Sequence, residues 1–425
     1  MTMHHPLRRR RFLQLGLAAG GGLLTARFAF AAPAASDARF VFIILRGALD
    51  GLAAVPAYTD PDYVRLREQL AIAPPGAADG ALALDGHFGL NPGLEFVHEA
   101  YGAGEALILH AIATPYRDRS HFDGQDVLES GLTQPHASQT GWLNRAVGVL
   151  PASIAHGAEG GVALGQNVPL VLRGPAPIAS WSPSKLPQID DDTLQRIADR
   201  YAGDALLSQR LGEAMATDRI AAESQQMRPA APAGATAATS MDAAAGGGTA
   251  KVPGADRYLE TVRAAAGFIQ REDGPAVAVF DTIGWDTHFN EGGAQGQLTQ
   301  RLRALDAALR ALKQSLGPAW ARTAILIATE FGRTAAANGT RGTDHGTATA
   351  AFLLGGAVQG GRVLCDWPGL SAGALYQGRD LRATMDVRSV IQSVLHDHLH
   401  VSSRALAAEV FPGAALPPVP DLIRA

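Results

Sequence analysis

Six short, almost purely apolar runs, separated by stretches of helical periodicity, leave this chain few architectures. The first, Phe40–Leu45 within "RFVFIILRGALDGL", shows no alternation of polar and apolar residues. A strand covered on both faces has that pattern, because neither side chain direction meets water. The runs "ALILHAIA" (106–113), "VPLVLRG" (168–174), "AVAVFDT" (276–282), "TAILIATE" (323–330) and "TAAFLLGG" (349–356) predict five more strands. Between the fourth and fifth, residues 294–316 carry Leu298, Leu302, Leu305, Leu309, Leu312 and Leu316 at helical spacing. Helices are also expected in "GLEFVHEAYGAG", over 190–215, in "RYLETVRAAAGFIQ" and in "DVRSVIQSVLHDHLHV". Strands joined by helical crossovers of this length predict a mainly parallel central sheet between helical layers, a three-layer α/β/α sandwich.

Two segments stand apart from that pattern. Residues 1–32 read as an export signal: Arg8 to Arg11, then an apolar stretch Phe12–Leu24 too short and glycine-rich to span a membrane, then the small-residue run "AFAA". Within it "RRRFLQ" resembles a twin-arginine signal, with Arg8 where Ser or Thr is common. Residues 227–254 are mostly Ala, Gly, Pro, Ser and Thr, too poor in bulky apolar groups to offset ordering; a flexible surface insertion is expected. The remainder, 38–415, reads as a single domain. Formal net charge is −4 over 425 residues, and residues 1–32 hold five arginines and no acid, so the exported portion is still more acidic. No basic footprint argues for nucleic acid. The single cysteine, Cys365, offers no internal disulfide.

In a parallel α/β sheet, ligands gather beyond the carboxyl ends of the strands. Asp50 follows the first run, and Ser120, His121 and Asp123 follow the second. Asp286 and His288, in "GWDTHFN", follow the fourth; Glu330, Phe331 and Arg333 end the fifth; Asp344 and His345 precede the sixth. Asp50 before a glycine is an ordinary turn residue, and Ser120 an ordinary helix N-cap. Gathered on one edge, these oxygens and imidazoles form sites for zinc, manganese or iron, and all-oxygen sets suit magnesium or calcium.

Other chemistries lack their parts. "HEAYG" (98–102) has Gly102 where a zinc protease needs its second histidine, and there is no G-x-S-x-G elbow, P-loop or dinucleotide fingerprint. "HDHLH" (396–400) reads as a helix end rather than a ligand set.

Taken together, "LRGALDGL", "SHFDGQDVLESG", "GWDTHFN", "ATEFGRT" and "GTDHGTATAAFLLGG" resemble the alkaline phosphatase and sulfatase superfamily. More closely, they resemble the twin-arginine-exported bacterial family catalogued as domain of unknown function 1501. The resemblance implies an alkaline-phosphatase-like fold and a metal-dependent hydrolase of phosphate or sulfate esters. It implies one divalent metal held by Asp286, His288 and His345, with Asp344 as an outer partner. It implies a second at Asp50, Ser120 and Glu330, with Ser120 as nucleophile and Arg119 and Arg333 neutralising an anionic substrate. The superfamily has Asp-His before glycine where this chain has Glu330-Phe331, and Phe331 cannot ligate. The second site is then oxygen-only, selecting Mg, Ca or Mn, or it is empty. A catalytically silent, metal-stabilised envelope scaffold is the competing expectation. Both place the chain in the periplasm or outside the cell, exported folded by the twin-arginine machinery and acting on an anionic ester or a polysaccharide, not as an integral membrane protein.

Overall fold

The computed structural model describes residues 37–154, 159–183, 191–226 and 255–424. The signal-like residues 1–32 and the low-complexity insertion 227–254 lie outside the described residues.

Nine strands form the central sheet: β1 (Arg39–Arg46), β2 (Ala106–Ala113), β3 (Gly161–Leu164), β4 (Ile178–Trp181), β5 (Val277–Ile283), β6 (Thr323–Ala328), β7 (Thr349–Leu354), β8 (Arg362–Leu364) and β9 (Met385–Asp386). Their order is β8-β2-β7-β6-β1-β5-β3-β4, with β9 also paired to β2. All pairings are parallel except those of β7, which runs against both β2 and β6. That reversal matters for function. It puts the start of β7 beside the end of β2, with Thr349 opposite Ile112, so the loop entering β7 joins the loops leaving the other strands.

Each side of β1 feeds a different core, as successive side chains on a strand must. Val41, Ile43 and Leu45 pack with helices α2 (Glu95–Gly102), α5 (Ala255–Ile269) and α6 (Gln297–Leu316). Phe40, Phe42 and Ile44 pack with α4 (Trp142–Gly148), α7 (Val387–Asp397) and the C-terminal Leu406, Val410 and Phe411. This is a mixed α/β fold with a mainly parallel sheet between helical layers. The six leucines read at helical spacing all lie buried on α6, each contributing about 1.5–3 kcal/mol relative to exposure. The remaining labelled helices, α1 (Gly51–Ala54) and α3 (His121–Ser130), begin just beyond β1 and β2.

One predicted strand is absent. Residues 168–174 form a 3-10 turn, Leu170–Leu172, after Pro169, and the strands lie on either side of it as β3 and β4. Pro169 has no N–H to give to a ladder, which argues against a central strand there. Among "HDHLH", His396 is exposed beside Asp397, whereas His398 is buried with Nε2 2.8 Å from the Arg39 carbonyl: a helix end, not a ligand set. Among the described residues, no helix is long and apolar enough to cross a membrane.

Candidate metal centre

Five loops converge at the carboxyl edge. Leaving β1, Gly47 has φ +122°, and a Cβ there would lie 2.6 Å from the Asp286 amide nitrogen. Only glycine lets the two loops lie this close. Leaving β6, Gly332 exchanges backbone hydrogen bonds with Thr347 and Gly346, and a Cβ would strike the Ala348 carbonyl at 1.9 Å. The loop carrying His345 is thereby zipped to the one carrying Glu330.

Three imidazoles turn toward Asp286. His288 Nε2 lies 3.1 Å and His345 Nε2 3.4 Å from Asp286 Oδ1, and His121 Nε2 lies 3.4 Å from Oδ2. The His288 and His345 Nε2 atoms are themselves 2.8 Å apart. Ligand atoms of His121, Asp286 and His345 all fall within 4.8 Å of one another, a spacing that can hold one metal ion. Each ring has an outer partner on its other nitrogen. His121 Nδ1 lies 2.8 Å from Glu330 Oε1, His345 Nδ1 2.9 Å from the Arg119 carbonyl, and His288 Nδ1 3.4 Å from Asp344 Oδ1. A proton on Nδ1 facing an acceptor leaves Nε2 with its lone pair, the form that ligates. The Nε2 of His121 is buried and without a hydrogen-bond partner. A buried nitrogen left so is costly unless something occupies its lone pair.

Burial would push the Glu330 carboxyl up, but hydrogen bonds from His121, Gln125 and Thr329 overcome it and hold the group below its usual range. The His121 ring is raised by its bond to Glu330, and the His345 ring is lowered by burial and by His121 nearby. Asp286 stays below the usual range because Arg333 Nη1, at 2.7 Å, outweighs the effect of burial.

The residues expected in two sites are divided differently. Asp286, His288 and His345 lie together at this edge. Glu330 reaches the cluster only through His121; its own oxygens also accept from Gly47 N at 2.9 Å and Gln125 Nε2 at 3.1 Å. Asp50 is not with them: it caps α1 by accepting from Ala53 N and pairs with the buried Arg67 at 2.6 Å. Among the described residues, His121, Asp286 and His345 are the one His, Cys, Asp or Glu group with ligand spacing. Arg333 is buried, giving its other N–H groups to Thr343, and is tied to Asp286 rather than open to an anion. Arg119 is likewise engaged, with Asp380 at 2.8 Å and Gln377 at 2.7 Å. Ser120 stands at the N-cap of α3 but makes no capping bond, directly after Arg119 at φ +64°. A left-handed non-glycine residue is strained, and such strain concentrates at functional positions.

His121 is the member of this group that residue types alone undervalued. Its signal was position, the first residue of a helix that begins at the carboxyl edge. Phe331, which replaces an expected imidazole, is buried and stacked on His121 with ring centroids 5.0 Å apart, and 5.3 Å from the His345 ring. Its ring forms an apolar wall against both imidazoles.

The family model described as "Protein of unknown function (DUF1501)" matches residues 102–407. No curated protein matches the chain. Among solved structures, the crystal structure of Ps i-CgsB in complex with k-i-k-neocarrahexaose is similar over 87% of this chain and 75% of that one, at 8% identity and a TM-score of 0.38. The oligosaccharide there is that protein's ligand.

Proposed function

The chain belongs to the DUF1501 family, and from the geometry of its cluster we propose that it is a metal-dependent hydrolase of phosphate or sulfate esters with Ser120 as nucleophile. The observation that carries the reading is the buried, unpartnered Nε2 of His121 facing Asp286, with His345 within ligand distance of both. One carboxylate and two imidazoles, with His288 alongside, suit zinc or manganese better than magnesium or calcium. A divalent cation held there supplies Lewis-acid polarisation of an ester oxygen and eases deprotonation of a nearby hydroxyl.

The chain's own residues do the rest. Glu330 holds the His121 ring by Nδ1, and the Arg119 carbonyl holds His345 the same way. Arg333 orients Asp286. Ser120 adjoins His121 and makes no capping bond, and to its hydroxyl we assign the attack on phosphorus or sulfur that displaces the ester oxygen. The "RRRFLQ" segment supports export of the folded chain by the twin-arginine machinery to the periplasm or beyond.

A screen of phosphate monoesters, phosphate diesters and sulfate esters, with each divalent metal added, tests the reading. Turnover by wild type, lost in Ser120→Ala while metal content is unchanged, is expected. Turnover that survives Ser120→Ala removes Ser120 from the role. A silent, metal-stabilised scaffold is favoured by one feature, the stacking of Phe331 where a second metal's ligand is expected. Metal retained without turnover on any ester would select it.

A further inference from the structure

Next to Gln125, the surface opens into a pocket of about 380 Å³ lined in part by Gln125, Arg46, Phe122 and Asp281. Small-molecule sites run from about 300 to 1,000 Å³. Gln125 is the wall shared with the metal centre: its Nε2 donates to Glu330, and its Oε1 accepts from Arg46 Nη1 at 2.9 Å. One side chain therefore separates the pocket from the carboxylate that holds His121.

Its charge says what it does not bind. Arg46 is neutralised from two sides, by Glu129 at 2.7 Å and by Asp281. Of the remaining lining residues, Asp126 lies 3.5 Å from the His136 ring and Arg173 gives its Nε to the Val168 carbonyl, so the lining holds Asp126, Glu129 and Asp281 against Arg46 and Arg173. This excess of carboxylate over guanidinium disfavours an anionic group. What remains for recognition is planar and polar: the exposed Asn167 and Arg173, and the half-exposed carboxylate of Asp281.

The rim supplies the complementary element. Phe122, the second residue of α3, lines the pocket and is 85% exposed, the most exposed large apolar side chain among the described residues. Ile283 adds a second apolar surface at 73% exposure, two residues beyond Asp281 on the same face of β5. An aromatic face beside planar amide, guanidinium and carboxylate groups matches a sugar ring. Such a ring offers C–H bonds on one face and hydroxyls on its edge that both donate and accept. The apolar surface is too small for a lipid chain, and the charge is wrong for a nucleotide.

We propose that this pocket seats a neutral sugar ring of the substrate, stacked on Phe122 with its hydroxyls held by Asn167, Arg173 and Asp281. The ester substrate of the reading above is then a phosphate or sulfate ester of a saccharide, with the charged group at the cluster and an uncharged ring in the pocket. The ester assignment rests on that reading; the sugar-binding assignment does not.

Titration calorimetry tests it with neutral hexasaccharides of four backbones: β-1,4-glucan, α-1,4-glucan, β-1,4-xylan and unsulfated agarose. At least one should bind wild type. Phe122→Ala and Asn167→Ala should each weaken that binding about tenfold, and Val64→Ala, an exposed position outside the pocket lining, should bind as wild type does. Binding by none of the four, or equal binding by Phe122→Ala, overturns the pocket. Hydrolysis of p-nitrophenyl phosphate and p-nitrophenyl sulfate, measured alongside, separates the two claims. Phe122-dependent sugar binding without turnover of any ester keeps the pocket and ends the hydrolase. Aryl ester turnover without sugar binding ends the pocket and keeps the hydrolase.

Discussion

At the same edge of the sheet, acids and bases are gathered twice, and the two gatherings have spent their charge differently. Around Arg67 everything is internal. Its guanidinium lies fully buried against Asp50 at 2.6 Å and Glu291 at 3.4 Å. Burial and the charge on Asp50 push the Glu291 carboxyl up, while Arg67 overcomes burial to hold Asp50 down. The coupled pair thus shares one negative charge against one positive. Around Asp286 the side chains are partly exposed, and the imidazoles have satisfied their outer nitrogens while leaving the inner ones facing a common point. Residue type does not separate the two groups. The partner on the far side of each group does.

The largest effect belongs to the closed network. Arg67→Met removes the only cation from two buried carboxylates, and breaking such a pair costs about 3–5 kcal/mol. Thermal unfolding should show a large drop in Tm, with or without added metal. Asp50→Asn should lower Tm as well and leave metal content alone, which keeps the two regions distinct.

Next come two histidines that, like Arg67, are closed on themselves. His110 and His398 are buried with Nε2 at 2.9 Å and 2.8 Å from backbone carbonyls, and burial pulls each ring down to about 4. An unfolded histidine titrates near 6.5, so below that pH the unfolded chain gains protons that the folded chain refuses. Each ring's contribution is complete above about pH 6.5 and is lost as pH falls toward 4, by about 3 kcal/mol. Asp306, pushed up to about 6 by burial, and Glu291, pushed up to about 8 by burial and by Asp50, work in the opposite direction and offset part of that loss. Tm measured from pH 7 to pH 4 should fall, and His398→Gln should flatten the curve.

The open cluster should respond in binding rather than in folding. Glu330→Gln removes the carboxylate behind His121, and losing such an outer partner weakens metal affinity about 10–100-fold. Competition against a chelating dye reads that shift; affinity equal to wild type would mean Glu330 is only a structural acid. Smallest of all, Phe122→Ala should change stability by less than about 0.5 kcal/mol, because its ring stands in water.

Much of this was legible in the sequence, and for local reasons. The run at 40–45 announced a strand buried on both faces, the six leucines of 298–316 a packed helix, and "DTH" with "TDH" polar side chains that gather at one edge of the sheet. What stayed hidden was pairing across distance. Nothing near Asp50 reveals that Arg67 will claim it, and nothing in the apolar run 349–354 reveals that β7 is antiparallel. Likewise, the value of His121 depends on Glu330, 209 positions away. The misread segment 168–174 shows the converse: its apolar composition was real, but Pro169 made a turn of it.

The central claim is that His121, Asp286 and His345 hold a metal ion, and elemental analysis of protein purified without chelator tests it most directly. Wild type should carry one divalent ion per chain, and His345→Ala, matched to it by circular dichroism, should carry almost none. Wild type without metal, or equal metal in the two proteins, would contradict the account.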